Sequence, residues 1–315
     1  MKKLLAITFI LTAFLANMHC QPVTQHGKLS VKGPHIVDEH GQIVVLQGVC
    51  YGWTNWWPRF YNRESVKWLA EDWKCTVVRA AMGVGMGNSY LDRPQWSKAL
   101  LDSVVQGAIG SNIYVIIDWH SYDIHLEEAK AFFKEMAEKY GKYPNVIYDI
   151  YNEPVNVTWD TVKTYSVEVI KTIRAIDPDN IIVVGCTHWD QDVHIVADNP
   201  IQGYSNLIYS LHFYADTHRE FFRRIGDYAL SKGLPIFVTE SAGTSATCDR
   251  PVNDKEWHLW IDWMKKNQIS WITYSIADSE ETCAMLKPSA ASSGGWKESD
   301  LKESGIKTRA LLRNE

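Results

Sequence analysis

The chain lacks any long Lys/Arg run, any Cys-x-x-Cys pair, any Gly-rich phosphate loop and any His-Glu-x-x-His pattern. With a formal net charge of −5, the missing basic run argues against nucleic acid as the main partner and favours a neutral substrate. The missing cysteine and histidine patterns leave no recognised metal spacing. Asp118, His120 and His212 are the closest thing to a metal cluster, and the expectation is no metal and no other cofactor. Only one long apolar run occurs, near the start, so the mature chain is expected to be soluble, with no membrane partner. A Ser/Pro/Thr-rich linker is absent too, which predicts one domain without an attached carbohydrate-binding module.

What is present is a globular composition, 46% apolar and 22% charged over 315 residues. Lys2-Lys3 precedes an apolar run from Leu4 to Leu15, and a short polar stretch ends near Cys20-Gln21. This is the layout of a secretory signal too short to span a bilayer. It predicts cleavage after Cys20 and an extracellular, monomeric domain over residues 21–315. Of six cysteines, removal of Cys20 leaves five, so at least one thiol is free. Cys50 and Cys186 read as buried thiols, whereas Cys248 and Cys283 lie in predicted loops and could pair in an oxidising compartment. Asn156-Val157-Thr158 is a glycosylation acceptor triplet.

Eight short apolar runs read as buried strands: Ile43–Val49, Thr76–Ala81, Ile113–Asp118, Val146–Asn152, Ile181–Gly185, Leu207–Phe213, Pro235–Glu240 and Ser270–Ser275. Helical periodicity fills gaps between them, as in Glu64–Trp73, Gln95–Ile109, Leu126–Tyr140, Thr161–Ile176 and Lys255–Asn267. Asn62, Asp160 and Asn253 are candidate helix caps, and Lys302–Leu312 is the last helix. Eight strand–helix alternations predict an α/β fold, a (β/α)₈ TIM barrel. A doubly wound open sheet would show the same alternation, and the missing phosphate loop counts against it. Residues 28–41 read as a β-hairpin closing the barrel bottom.

The chemistry clusters where the strands stop. Arg79 lies in the second, Asp118-Trp119-His120 ends the third, and Asn152-Glu153-Pro154 follows the fourth. Thr187-His188-Trp189, His212-Phe213-Tyr214 and Glu240 follow the fifth, sixth and seventh. In a barrel these ends meet on one face. Two glutamates there suit glycosidic cleavage, in which one carboxyl donates a proton and the other stays ionised. The donor needs burial and a nearby negative charge; Arg79 and Tyr214 would favour ionisation of the other. The 14 Trp and 15 Tyr supply flat amphipathic faces for sugars, with Trp53, Trp56, Trp57, Trp119, Trp189 and Trp296 near predicted loops.

Five ordered motifs sharpen this reading. Val78-Arg79-Ala80-Ala81-Met82, Ile116-Ile117-Asp118-Trp119-His120, Tyr151-Asn152-Glu153-Pro154, Leu211-His212-Phe213-Tyr214 and Ile236-Phe237-Val238-Thr239-Glu240 resemble those of glycoside hydrolase family 5. The resemblance runs over roughly residues 28 to 312 and lies nearest the secreted endo-β-1,4-glucanases. It implies a retaining enzyme acting on a β-1,4-glucan, with Glu153 as acid/base and Glu240 as nucleophile. Asn152 would bond the sugar 2-hydroxyl, Arg79 and Tyr214 would hold Glu240, and His120 and His212 would line the cleaved site. Trp53 and Trp189 resemble aromatic platforms on either side. Two departures bear on the sugar: Tyr274 stands where the family usually has Trp, and Ser241 where an aromatic usually follows the nucleophile. Trp271, three positions from Tyr274, is expected on the opposite strand face. Mannan, xyloglucan and mixed-linkage glucan are therefore alternative substrates, and a non-catalytic glycan-binding relative is the alternative class.

Overall fold

In the computed structural model, which describes residues 21–315, ten strands form a two-stranded ribbon and a closed eight-stranded barrel. The ribbon pairs β1 (Ser30–Lys32) with β2 (His35–Val37). The barrel strands are β3 (Gln47–Tyr51), β4 (Val77–Gly83), β5 (Tyr114–His120), β6 (Val146–Asp149), β7 (Ile182–Val184), β8 (Leu207–Tyr214), β9 (Ile236–Ala242) and β10 (Trp271–Ile276). They pair in parallel in sequence order, and β10 closes against β3. The (β/α)₈ barrel is thus present and the open sheet is excluded. The signal peptide expected over residues 1–20, with Cys20, lies outside the described residues.

The predicted strand runs shift by a few residues. Most differ at their ends, and the first begins only at Gln47, because Ile43 bridges back to Val37 and Val44 N donates to Ile36 O. The chain there completes the ribbon before it enters the barrel. Helix Leu126–Tyr140 matches its predicted bounds. Asn62 and Asn253 cap as expected, accepting from Ser65 N and Glu256 N. Asp160 does not: Thr158 caps helix Trp159–Arg174 by accepting from Thr161 N, and Asp160 sits in its first turn.

Alternation along each strand builds two cores. Val78, Val115, Tyr148 and Val238 face outward against the helices. Cys50, Val77, Tyr114, Ile116, Ile147, Ile208, Phe237 and Ile272 fill the barrel interior. Leu29, Ile36 and Leu46 join the interior cluster, and Val31 N donates to Oδ1 of Asn206, just before β8. The ribbon therefore plugs the ends where the strands begin. The opposite ends are left for chemistry.

Strand β9 contains the irregularity that matters most. Ser210 pairs with Phe237, yet His212 pairs with Glu240, so β9 carries one more residue than β8 in that interval. Because side chains alternate with period two, this bulge reverses the parity set by outward Val238. Glu240 is thereby turned inward. The pairing that the sequence left open is present: Cys248 and Cys283 form a disulfide, Cys50 and Cys186 are free and buried as expected, and Cys75 is free and buried too. Closing a loop across a sequence separation of 35 should stabilise the fold by roughly 4 kcal/mol. Chemical denaturation of Cys283→Ser should show that loss; wild-type stability in the variant would contradict it.

Candidate active site

At the C-terminal ends of the strands lies a cleft of about 510 Å³. Glu153, Glu240, His120, His212, Tyr214, Tyr274, Trp53 and Trp189 all line it. Arg79 and Asn152, the remaining predicted site residues, are not among its lining but lie directly behind it. Of the six tryptophans nominated for sugar contact, Trp53, Trp56, Trp57 and Trp189 line the cleft. Trp119 and Trp296 instead pack in the outer core, fully buried. Trp119 points outward from β5 onto Phe132 and Phe133, and Trp296 packs against Phe60 and Trp73.

Arg79 is the organising charge. Its guanidinium, fully buried on β4, donates to Glu240 Oε2 at 3.2 Å, Asp149 Oδ2 at 2.9 Å and Asn152 Oδ1 at 2.7 Å. It also lies 3.1 Å from Asp118 Oδ2. Tyr214 Oη donates to the other Glu240 oxygen at 2.7 Å. Both Glu240 oxygens are thus held by donors, one of them a buried cation.

Glu153 meets the opposite conditions. Its backbone N–H donates to Ser121 O, and its Oε1 lies 2.8 Å from His212 Nδ1. Burial pushes its carboxyl up to about 8; Arg79 opposes this, and the charge of Asp118 adds to it. His212 is no fixed cation, because burial drives its imidazole down to about 3. Its Nε2 lies 3.0 Å from Thr239 Oγ1 and 3.5 Å from Asp190 Oδ2. His120, likewise lowered to about 3 by burial, is fixed by Asp118 at 2.6 Å and by the edge of Trp53.

Glu153, His212 and Glu240 each place a donor atom within 4.8 Å of the other two. The carboxylate oxygens are therefore nearer than the roughly 6.5–9.5 Å of an inverting pair, and suit attack by one of them without an intervening water. The same trio has the composition of a metal site, but its atoms are already engaged by Arg79, Tyr214 and one another. A carboxyl that burial keeps protonated beside one held by a buried cation is a pairing that can cleave a glycosidic bond.

Asn152 has one further property: its Nδ2 is buried without a protein partner. Tyr274 reaches the cleft, whereas Trp271 packs outward, as the strand spacing predicts. Ser241 does not face the cleft; its hydroxyl donates to Ile272 O on β10 at 2.8 Å. Asp149, Asp190 and Thr239 were not singled out from the sequence. Asp149 was readable in principle, since it is a charge inside an apolar run, but its partner on β4 was not.

A family model described as cellulase (glycosyl hydrolase family 5) matches residues 37–280. The chain belongs to glycosyl hydrolase family 5. A family relative, an endoglucanase of Clostridium saccharobutylicum, is 43% identical over 287 residues, covering 89% of this chain and 64% of the relative. The chain thus spans less than two thirds of that relative's length. A family structure from Cytophaga hutchinsonii superposes with a TM-score of 0.91 at 44% identity, covering 93% of this chain and 96% of the other. The catalytic domain of Thermobifida fusca endoglucanase Cel5A gives 0.89 at 33% identity over 93% and 99% of the two chains. A variant of that domain has also been determined with cellotetraose bound.

The raised Glu153 carboxyl makes stability depend on pH. Glu153 remains protonated in the fold between about 4.5 and about 8, where an unfolded glutamate ionises. Its contribution is full below that window and is lost as pH rises through it. Glu153→Gln, which cannot ionise, should gain on the wild type across this window, by at least about 1 kcal/mol at its alkaline end. Denaturation midpoints at about pH 4 and about pH 8.5, on either side of that window, check this. A constant difference between the two proteins would contradict it.

Proposed function

We propose that the chain is a secreted endo-β-1,4-glucanase that hydrolyses internal bonds of cellulose-type chains with retention. In this reading residues 1–20 are a signal removed after Cys20, and residues 21–315 are a single, monomeric catalytic domain. The Cys248–Cys283 disulfide fits an oxidising, extracellular setting. The endoglucanase names of the relatives support the substrate class.

One observation carries the mechanism: two carboxyl groups within 4.8 Å of each other sit in opposed environments. Glu240, ionised beside Arg79 and Tyr214, attacks the anomeric carbon. Glu153 delivers its proton to the leaving oxygen. With that proton gone, Glu153 becomes the base that takes a proton from water, and the water releases the sugar from Glu240. Asn152 Nδ2 is available to bond the 2-hydroxyl of the sugar held on Glu240. His212 keeps Glu153 oriented, His120 lines the cleaved site, Tyr274 forms its floor, and Trp53 and Trp189 are the stacking platforms on either side.

The alternative glycans keep their place because of Tyr274. Its phenol offers a smaller face than an indole, and it forms part of the cleft wall. Activity should be greatest on carboxymethylcellulose in a panel that includes mannan, xyloglucan and mixed-linkage glucan. Glu153→Gln and Glu240→Gln should each lower release of reducing sugar by at least about a hundredfold. Retention of most of the rate in either variant would refute the roles. Cellulose binding by the wild type without release of sugar would instead favour the non-catalytic class.

A further inference from the structure

Behind Glu153 and His212 lies a third carboxyl, that of Asp190, fully buried after β7. His188, Trp189 and Asp190 have φ of 59°, 55° and 57°, three consecutive left-handed residues none of which is glycine. Side chains disfavour this conformation in a row, and it persists only where the surroundings impose it. Here the Asp190 carboxyl is what they hold. Its Oδ1 accepts from Cys186 N at 2.6 Å. Gly185 leaves the room, since a Cβ there would lie 2.1 Å from Tyr151 O and 3.2 Å from that same Oδ1. Oδ2 makes no hydrogen bond of ordinary geometry among the described residues and lies 3.5 Å from His212 Nε2.

His212 therefore stands between two carboxyl groups. Nδ1 is 2.8 Å from Glu153 Oε1, and Nε2 faces Asp190 and, at 3.0 Å, Thr239 Oγ1. Because burial drives the ring down to about 3, it is neutral and carries one N–H. The position of that hydrogen decides what Glu153 meets. With it on Nε2, Nδ1 presents a lone pair and protonated Glu153 donates to it. With it on Nδ1, the ring donates to Glu153 and favours the carboxylate. Thr239 does not choose between them, because its hydroxyl shares a short hydrogen bond with Ser210 Oγ in which either oxygen can donate. A carboxylate can only accept. Burial pushes the Asp190 carboxyl well up against the pull of the nearby Ser210 hydroxyl, and in either protonation state Oδ2 keeps a lone pair for an Nε2–H. Other titratable groups bear on the pair: Arg79, Asp118, His120, Asp149 and Glu240 from the strands, with Tyr122, Tyr214 and His218 at the cleft wall. Among the described residues none of them bonds a His212 nitrogen.

We propose that Asp190 is a positioning residue for the acid: it holds His212 as the Nε2–H tautomer, so that Nδ1 accepts from Glu153 and the resting acid keeps its proton. The proposal rests on Glu153 being the acid. Once Glu153 has given its proton to the leaving oxygen, the same lone pair faces a carboxylate. That favours return of a proton to Glu153, which is what the second step asks of the base.

Asp190→Asn keeps the shape and an oxygen for Cys186 N, but it turns an N–H toward His212 Nε2. The ring should then pass to the Nδ1–H tautomer, and Glu153 should lose its proton at lower pH. Multiple-bond proton–nitrogen NMR correlations of the imidazole distinguish the two tautomers. They are recorded at about pH 6, between the values for His212 and Glu153. The wild type should show Nε2–H and Asp190→Asn should show Nδ1–H. In the variant the alkaline limb of kcat/KM on cellohexaose should move down by about one pH unit or more. An Nδ1–H ring in the wild type overturns the proposal, and does so even if the variant fails to fold. An unmoved tautomer or an unmoved limb in an Asp190→Asn that melts like the wild type overturns it too. A wild type that hydrolyses no β-glucan overturns Glu153 as the acid, and this role of Asp190 with it, whatever tautomer the spectra show.

Discussion

One buried cation has to satisfy more anions than it can neutralise. Arg79 faces Asp118, Asp149 and Glu240 together, each within 3.2 Å, inside a barrel that excludes water. A buried charge without a partner would be prohibitive, so the guanidinium fixes all three carboxyl groups around itself. Burial nonetheless lifts Asp118 to about 7 and Asp149 to about 6. Burial is the main source of the asymmetry between the two glutamates. Glu240 receives a direct bond from Arg79; Glu153 receives none, and burial raises its carboxyl against the pull of Arg79, with the charge of Asp118 adding a smaller push.

The barrel makes this arrangement possible by geometry more than by energy. Arg79, Asp118 and Asp149 come from three adjacent strands whose register puts Ala81 beside Asp118 and Asp118 beside Asp149. Inward parity points all three side chains into the barrel, with Arg79 two residues before the position beside Asp118, so that its long side chain reaches up to both carboxyl groups. The bulge in β9 turns Glu240 toward the same guanidinium from the far side. A regular β9 would have sent the same glutamate into the helices. The irregular pairing is thus found where the cleft needs a side chain re-aimed, at Glu240.

Much of this was legible beforehand, for physical reasons. Apolar runs of strand length separated by helical periods specify an alternating fold, and residue type at their ends exposes the chemistry. Glu153, Glu240, Arg79, Tyr214 and Asn152 were found that way, and the close group they form needed only the barrel to close. Tyr274 and Trp271 fell on opposite faces because period two is rigid. Other features depend on distances that alternation does not encode. The bulge leaves no mark in the run Ile236–Ala242, Asp190 follows a turn of unexpected handedness, and Asp160 lost the cap to Thr158 two residues away. Ser241 looked like a change in the cleft and is a contact to β10.

The central claim is that Glu240 attacks the sugar directly while Glu153 acts as acid, a division set by Arg79 and by the short gap between the carboxyl groups. Proton NMR of the reducing end formed first from cellohexaose tests it most directly, read before mutarotation scrambles the anomers. The account predicts that the β-anomer appears first. Initial release of the α-anomer would mean that water enters between the carboxyl groups, and would contradict the account.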